Sequence, residues 1–443
     1  MKETIDTSEL FGSARISRIL WKIAPPVMLA QLIQALYNIT DSFFIGQYGE
    51  SGLTALSIIF PLQLLMIALA VGTGVGFNTV MAARLGSGKP EEAAEYAGCG
   101  TGLGIGLWLV FAGICWCILP FFARMSTDSP EVVEDIIVYG RIVCAGSVGL
   151  FLESIWSKVL QAYGDMKTPM IAQILGAVIN IVLDPILIFG LFGLPEMGIA
   201  GAAAATVAGQ ILSAMVVGKK AFCKSPPLSR YPGYIGTVYR LGFPNILMQS
   251  AYTVYILGLN LILATFSDQA VTALGLYYKW QTFFFIPLFS MQTCIVPVIS
   301  YNYAARNLER CRKTLQVSTL FGMGLMIVGI FCFEFFPQVL LRAFTEDALV
   351  VEIGTTAFRI IGISFLPIVT ALIFPVFLQA VGMGLRSSLL TVIRTIFCFV
   401  PFGYLFSRFG LDCFWLTFPV TELITTAAGV WMYHKFLKTP YRE

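Results

Sequence analysis

The sequence predicts an all-α integral membrane protein with twelve transmembrane helices in two parallel, pseudo-symmetric six-helix lobes. Of the 443 residues, 57% are hydrophobic and 12% are charged, whereas about 25% of the residues in an average soluble domain are charged. One residue pattern occurs twice at a fixed separation, and the basic residues are concentrated in alternate loops. Together these observations indicate a duplicated bundle of membrane-spanning helices.

Apolar runs of about 20 residues are long enough to cross a hydrocarbon layer of ~30 Å. About twelve such runs are predicted, beginning near Ile19, Leu53, Ala93, Val133, Thr168, Gly198, Thr237, Val271, Thr314, Val350, Ser388 and Cys413. The N-terminal stretch MKETIDTSELFGSARISR contains acidic residues and has no short apolar core, so it does not resemble a cleaved signal peptide. The first span is the expected targeting element.

The basic residues predict the orientation in the membrane. If the N-terminus is cytoplasmic and twelve spans alternate, the loops outside contain only Arg124, Arg342 and Arg408. Most other lysines and arginines then lie on the cytoplasmic side, as the positive-inside rule requires. We therefore expect both termini to be cytoplasmic. The basic clusters reflect this topology and do not predict binding to nucleic acid.

The second half of the chain repeats the first at an offset of 218 residues, without a gap. The matching pairs include Pro26 and Pro244, Gln31 and Gln249, Tyr37 and Tyr255, Gln63 and Gln281, and the segments LQAYG at 160–164 and LQAVG at 378–382. Six spans per half is an even number, so both halves begin on the same membrane face as parallel repeats. The predicted organisation is an N-terminal lobe (1–218), a cytoplasmic linker (219–240) and a C-terminal lobe (241–443). Two such bundles are expected to enclose a central cavity.

Other motifs carry little functional information. The glycine-rich runs GTGVG at 72–76 and GCGTGLGIG at 98–106 follow no predicted strand, so close helix packing explains them better than phosphate binding. The ten cysteines lack metal-ligand spacing and predict neither a zinc site nor a disulfide framework. With one histidine, His434, and no candidate nucleophile, the sequence does not predict an enzyme. We expect no organic cofactor and no structural metal.

Two aspartates lie inside apolar segments, where a charge at the bilayer centre costs about 2.5 to 3.5 kcal/mol. Asp41 precedes Gly46, and Asp184 precedes Gly190, the residues near which spans one and five are expected to end. At 1.5 Å per residue, both carboxylates lie roughly 8 to 9 Å below the outer face. The two aspartates are therefore expected at one depth in the first lobe.

Further oxygen-bearing groups are expected at a similar depth. Asn180 lies one helical turn before Asp184 and so on the same helix face. Pro185 has no N–H and leaves the carbonyl of Ile181 without its helical donor. Thr206, in span six, lies about 12 Å below the outer face. Oxygen ligands suit a small cation, or one proton shared by two acids. We predict that the two aspartates, Asn180 and Thr206 bind a coupling ion. The alternative is that the acids only cap or end their helices.

The repeat favours the ion site, because it carries the acids in one half only. The offset takes Asp41 to Leu259, and Asp184 to Phe402. In the second lobe, Lys279 and Glu422 lie at matching depths of roughly 12 and 15 Å, and a structural or gating ion pair is predicted. Arg394 is expected to extend its guanidinium to the inner interface. Glu153 is expected to pair with Lys158 or to contribute to a gate.

Polar, aromatic and methionine side chains in the spans are candidates for a substrate cavity. Such surfaces suit flat, apolar cations through interaction with ring faces and adaptable packing, although core packing or lipid contact explains many of them equally well. The candidate substrate residues are Gln34, Tyr37, Gln63, Met66, Tyr255, Lys279, Gln281 and Phe284.

Four segments resemble the bacterial multidrug and toxic compound extrusion (MATE) family. They are NITDSFFIGQYG at 38–49, QAYGDMKTP at 161–169, NIVLDPILIFG at 180–190 and GAAAAT at 201–206. Together with the twelve-span duplication, the resemblance covers nearly the whole chain. It implies an antiporter that expels cationic or amphipathic organic compounds while Na⁺ or H⁺ enters. We expect a monomer in the bacterial inner membrane.

The resemblance also implies roles for individual residues. In the bacterial branch with an ion site in the first lobe, the ligands match Asp41, Asn180, Asp184 and Thr206, and a proline-dependent bend of span one matches Pro26. Other branches carry acids in spans seven and ten. This chain has none at 237–266 or 354–379, so a coupling site of that kind is not expected in the second lobe.

Two other functions are considered. A lipid-linked saccharide flippase of the wider superfamily moves anionic headgroups and would favour several basic residues facing the cavity, whereas Lys279 is the one deep cation predicted here. A membrane receptor or scaffold has no soluble sensor domain in this sequence to support it.

Overall fold

The computed structural model describes residues 8–127, 129–439 and 441, and within these residues it contains helices and no β-strand. The α-helices are α1 (Ile16–Tyr48), α2 (Glu50–Gly86), α3 (Pro90–Ser126), α4 (Pro130–Gly146), α5 (Val148–Ala162), α6 (Lys167–Ile188), α7 (Ile199–Ala221), α8 (Tyr231–Leu263), α9 (Asp268–Phe284), α10 (Ile286–Ala304), α11 (Leu308–Phe335), α12 (Pro337–Arg342), α13 (Ala348–Gly362), α14 (Phe365–Ala380), α15 (Gly384–Val392), α16 (Val400–Ser407), α17 (Leu411–Phe414) and α18 (Thr417–Lys438). Short π-helical segments occupy Ser8–Ser13 and Ile393–Phe399, and 3₁₀ turns occupy Leu191–Gly193 and Leu228–Arg230.

The described helices account for the predicted membrane spans. Nine helices are long and apolar enough to cross a membrane, and three further pairs, α4 with α5, α9 with α10 and α13 with α14, are bent by 42°, 50° and 57°. If each bent pair is one span, the number in the described chain is twelve. The all-α membrane fold class predicted from the sequence is confirmed.

The chain forms two compact units whose boundaries differ from the predicted lobes. The first unit contains residues 1–13 and 25–242, and the second contains residues 14–24 and 243–443. The predicted linker, 219–240, lies within the first unit, where its Arg230 guanidinium donates to the Glu95 carboxylate at 2.8 and 2.9 Å. In the second unit, the Arg310 guanidinium donates to the carbonyl of Ala14 at 2.8 Å. The two units are called the first and second lobes below.

The sequence repeat is also a structural repeat at the ends of α5 and α14. Gly164 and Gly382, the matching glycines of LQAYG and LQAVG, have φ of 83° and 84°, a left-handed conformation that glycine adopts without strain. After them, the N–H of Asp165 donates to the carbonyl of Leu160 at 3.0 Å, and that of Met383 donates to Leu378 at 2.8 Å. Both helices therefore end in the same Schellman-type arrangement.

The repeats differ in their second spans. In the first lobe α2 is one continuous helix, whereas the equivalent span of the second lobe is divided into α9 and α10 with a bend of 50°. Pro287 lies at the start of α10, and the offset of 218 places Leu69 at the matching position of α2. Proline lacks the N–H that would continue the helix at this bend, whereas Leu69 has one. Proline alone does not break a span, because α2 continues through Pro61.

Helices α6 and α7 pack closely in the first lobe. A Cβ added at Gly209 would lie 2.6 Å from the carbonyl oxygen of Gly176, and one added at Gly201 would lie 2.6 Å from that of Leu187. Since no larger side chain separates the two backbones at these points, polar groups on the facing sides of the helices can bond directly. The Ser213 hydroxyl, for example, donates to the carbonyl of Ala172 at 2.8 Å.

Candidate functional site

The facing sides of α6 and α7 carry a buried polar cluster. Asn180 donates through Nδ2 to Oδ1 of Asp184 at 3.2 Å and to Oγ1 of Thr206 at 3.4 Å. All three residues are buried, and Asp184 is 0% exposed. Asn180 and Asp184 come together because they are one turn apart on α6, and Thr206 reaches them through the close packing of α7. The structure thus brings together three of the four predicted ion ligands.

The fourth predicted ligand, Asp41, approaches from α1. It is 7% exposed, and its carboxylate lies close enough to Asp184 for an electrostatic interaction. Tyr37, one turn earlier on α1, interacts electrostatically with both acids. The cluster therefore joins α1, α6 and α7 within the first lobe. We call Asp41, Asn180, Asp184 and Thr206 the carboxylate cluster.

Tyr139 of α4 is a neighbour of this cluster that the sequence reasoning missed. Its hydroxyl accepts a hydrogen bond from Nε2 of Gln63 at 3.1 Å and also bonds to Thr206. The residue is 1% exposed. Nothing in the sequence distinguishes this tyrosine from others in the spans, since its role depends on the contact of α4 with α7.

The carboxylate cluster has an incomplete set of partners. Among the described residues, no lysine or arginine forms an ion pair with Asp41 or Asp184. Within the same residues, Oδ1 of Asp41, Oδ2 of Asp184 and Oδ1 of Asn180 are buried and accept no hydrogen bond. Unpaired buried charges are costly. Three free oxygen atoms among two acids and an amide are the arrangement that a small cation or a proton would complete.

Pro185 lies within α6 and does not end it. The helix continues to Ile188, and the N–H of Phe189 donates to the carbonyl of Pro185 at 3.3 Å. Gly190 then adopts a left-handed conformation with φ of 67° and terminates this segment. Asp184 is therefore positioned inside a continuous helix, beside a residue that cannot donate a backbone hydrogen bond to the preceding turn.

The ion pair predicted in the second lobe is wrong in one partner. Glu422 pairs with Arg394, whose Nη2 lies 2.6 Å from Oε1 and whose Nε donates to both carboxylate oxygens at 3.1 and 3.0 Å. Lys279 is exposed, and its Nζ lies 5.1 Å from the centroid of the Phe344 ring. The prediction matched depth along the helices but could not determine which side of each helix the residues occupy.

The predicted extension of Arg394 to the interface is also wrong. Its side chain is 8% exposed, that of Glu422 is 0% exposed, and the guanidinium carbon lies 5.0 Å from the centroid of the Phe399 ring. Arg394 lies in the π-helical segment Ile393–Phe399, and π-helical turns within helices frequently occur at functional sites.

The candidate substrate residues of the first lobe lie in different environments. Gln34 is exposed, and Tyr37 and Gln63 are half-buried. Met66 is 3% exposed and belongs to a hydrophobic core that also includes Ile59. Tyr37 is the member of this set that lies near the carboxylate cluster. Their role in substrate binding stays a prediction.

The substrate candidates of the second lobe, apart from Lys279, pack among aromatic side chains. Tyr255 is 1% exposed and stacks on Phe399 with ring centroids 4.5 Å apart. Gln281 accepts a hydrogen bond from the Tyr252 hydroxyl at 3.1 Å. Phe284 packs against Phe333 with centroids 5.6 Å apart. Their substrate role likewise stays a prediction.

Both halves of the chain match the family model described as MatE, at residues 26–186 and 244–405. The chain belongs to the MatE family. MatE proteins are transporters, so this chain is a multi-pass membrane transporter and not an enzyme. The match does not favour the lipid-linked saccharide flippase considered above.

Curated relatives align over most of this MatE chain. A protein named FAD transporter, from Shewanella oneidensis, is 25% identical over 429 residues, covering 93% of each chain. A probable multidrug resistance protein NorM from Thermotoga maritima is 24% identical and covers 79% of this chain and 76% of its own length. The multidrug export protein MepA of Staphylococcus saprophyticus is 22% identical and covers 95% of this chain and 94% of its own.

Solved structures share the fold. A transporter of the MOP superfamily from Pyrococcus furiosus, described as having a binding pocket of reverse polarity, superposes with a TM-score of 0.91 at 23% identity, covering 99% of this chain and 100% of its own. A multidrug resistance MATE transporter in an outward-facing conformation superposes with a TM-score of 0.90 at 23% identity, covering 99% of each chain. The MatE fold thus extends over almost the whole chain.

Proposed function

We propose that the protein is a secondary antiporter that exports cationic or amphipathic organic compounds in exchange for Na⁺ or H⁺. The observation that carries this proposal is the pair of buried carboxylates, Asp41 and Asp184, which have no cationic side-chain partner among the described residues. Asn180 and Thr206 complete the proposed ion ligands, and Pro26 supplies a bend in α1. The protein is proposed to act as a monomer in a bacterial inner membrane, with both termini in the cytoplasm.

The proposed transport cycle depends on the charge of the carboxylate cluster. With the cluster ionised, the transporter holds the organic substrate; a cation that arrives from outside neutralises the cluster and favours substrate release. Alternating access needs two arrangements of the lobes. Coupling requires that the cation binds these two arrangements with different affinities, and that the substrate does so too. Membership of a multidrug-transporter family supports the substrate class.

Dye efflux tests the proposal. The full chain is reconstituted in liposomes, and ethidium transport is measured with an imposed Na⁺ gradient, an imposed pH gradient, or neither. We expect one gradient to accelerate transport and expect Asp41→Asn and Asp184→Asn to abolish that acceleration. The same variants should fail to protect a drug-sensitive host while reaching the membrane at normal levels. Normal efflux by both variants would remove the ion site from the proposal.

A second candidate substrate is a flavin dinucleotide, because one relative aligned over 93% of each chain is named FAD transporter. FAD is anionic at neutral pH, whereas ethidium is cationic. Transport of FAD in the same liposomes, with ethidium as competitor, distinguishes the two substrate classes. Uptake of FAD that ethidium does not inhibit would favour the flavin alternative over the organic cation.

A further inference from the structure

The first lobe contains a third buried carboxylate, Glu153 of α5, which the carboxylate cluster does not include. It is 8% exposed. Its Oε1 accepts hydrogen bonds from the Ser157 hydroxyl at 2.7 Å and from Nε2 of Gln173 at 3.3 Å. An acid, a hydroxyl and an amide therefore converge at Glu153, and these are the same chemical groups that form the carboxylate cluster.

Helix α6 connects the two sites. Gln173, which contacts Glu153, precedes Asn180 by seven residues and Asp184 by eleven, spacings that put all three on one helix face. Seven residues correspond to roughly 10 Å along the helix axis. The polar side chains at the two ends of this face thus belong to two clusters within one lobe.

Helix α7 supplies a polar group between these levels. Gln210 lies one turn beyond Thr206, on the same face, and its Oε1 is buried without a hydrogen-bond partner among the described residues. A Cβ added at Gly149 of α5 would lie 2.8 Å from the carbonyl carbon of Gln210, so α5 and α7 are in contact at this level.

Helices α5 and α7 run parallel, because a Cβ at Gly149 would meet Gln210 while one at Gly218, further along α7, would meet Trp156, further along α5. Glu153 lies one turn after Gly149, as Gln210 lies one turn after Thr206. Gln210 is therefore about 6 Å along the axis from the level of each neighbour. The order along the lobe is carboxylate cluster, Gln210, Glu153.

We propose that Glu153, Ser157 and Gln173 form a second binding site for the coupling cation, which receives it from the carboxylate cluster by way of Gln210. This inference rests on the proposed antiport function. The predicted topology puts the Glu153 end of the lobe toward the cytoplasm, so this second site is the release site. It takes a small hard cation, a proton or Na⁺, because the Glu153 carboxylate and the Ser157 hydroxyl supply hard oxygen atoms. The Gln173 amide orients the carboxylate by donating to it through Nε2.

Lys158 favours release over retention at this site. It interacts electrostatically with Glu153, and its Nζ donates to Oε1 of Gln161 at 3.0 Å. A nearby ammonium group partly balances the carboxylate, so a visiting cation is bound less strongly at Glu153 than between two unpaired acids. The carboxylate cluster has no such cation among its described ion pairs.

The test separates net ion transfer from substrate movement. In liposomes, ethidium efflux is driven by a Na⁺ or pH gradient, and counterflow of labelled ethidium is measured without a gradient. For Glu153→Gln we expect gradient-driven efflux to fall about tenfold, within the range of typical coupling effects, while counterflow stays near the wild-type rate. Glu153→Asp should restore part of the loss. The gradient that drives the wild type identifies the cation as Na⁺ or a proton.

Gln210→Leu provides independent evidence if Glu153→Gln folds poorly, because it removes the intermediate polar group and leaves both acids. It should reduce gradient-driven efflux and retain counterflow, whereas the exposed acid variant Glu131→Gln should change neither. Unchanged gradient-driven efflux in Glu153→Gln and Gln210→Leu would overturn the inference, as would equal loss of both activities. A wild type that no gradient drives would reject the proposed antiport itself, and the second cation site with it.

Discussion

The fifth and sixth spans of the two lobes belong to one repeat but differ in whether their buried charges are paired. In the first lobe, Asp184 on α6 is buried without a basic partner among the described residues. In the second lobe, Arg394 and Glu422 form a buried pair with contacts of 2.6 to 3.1 Å. The offset of 218 matches Arg394 to Gly176 and Glu422 to Ala204. Small residues in one lobe thus correspond to a complete ion pair in the other.

This difference separates a binding role from a structural one. The pair of the second lobe is neutral overall, and its charges compensate each other without a ligand. The acids of the first lobe need a cation or a proton before their charges are compensated in the same way. Glycine at 176 also permits the close approach of α6 and α7 that brings Thr206 to Asn180. We infer that duplication preserved the helices while the two lobes diverged in charge.

The largest expected effect tests the ion pair of the second lobe. Arg394→Met should destabilise the protein by about 3 to 5 kcal/mol, because it leaves the Glu422 charge buried and unpaired. The double variant Arg394→Met with Glu422→Leu should recover most of that stability. Thermal unfolding in detergent provides the measurement, with the exposed Arg408→Met as control. A single variant as stable as the wild type would contradict the compensated pair.

The next effect tests the uncompensated acids of the first lobe. Asp184→Asn should reduce the stimulation of efflux by the driving ion by up to about 150-fold, the upper range of coupling between ligands. It should also abolish stabilisation by that ion, since a ligand stabilises only a protein that binds it. Melting temperature is measured with and without the ion. The exposed acid variant Asp268→Asn should behave as wild type, and ion-induced stabilisation that persists in Asp184→Asn would count against the site.

A smaller effect tests the helix packing that distinguishes the lobes. In Gly176→Ala, the added Cβ would lie 2.7 Å from the carbonyl oxygen of Gly209 and would also meet the Ser213 hydroxyl. Overpacking of this kind costs about 2 kcal/mol and should weaken the contact of Asn180 with Thr206. Unfolding in detergent measures the loss. Gly106→Ala is the matched control, because no atom lies within 4 Å of the added Cβ; equal loss in both variants would exclude a specific packing effect.

The smallest effect concerns Lys279, which was predicted to pair with Glu422. Lys279→Ala should lower the unfolding free energy by about 0.5 to 1 kcal/mol at most, the value of an exposed cation on an aromatic ring, here Phe344. The same unfolding assay compares it with Arg394→Met. A loss as large as that of Arg394→Met would mean that Lys279, and not Arg394, stabilises the Glu422 charge.

Depth along a helix was predictable, whereas position around it was not. The rise of 1.5 Å per residue is nearly constant, so counting from the span ends was enough to expect Asp41 and Asp184 at one level. Both lie in the carboxylate cluster. The same counting matched Lys279 with Glu422, but Glu422 pairs with Arg394 and Lys279 lies over the Phe344 ring. Pairing also depends on helix rotation and on local changes such as the π-helical segment Ile393–Phe399.

The sequence by itself determined the membrane class, the duplication and the helical content, because hydrophobic length and residue repetition are properties of the chain alone. It also indicated that two acids, Asp41 and Asp184, lie inside apolar segments where little water is available. Only the tertiary structure decided that Arg394 partners Glu422, that Tyr139 bonds to Thr206 of the carboxylate cluster, and that Gln210 lies at a level between that cluster and Glu153. Those relations arise from which helix faces pack together, and packing depends on side chains distant in sequence.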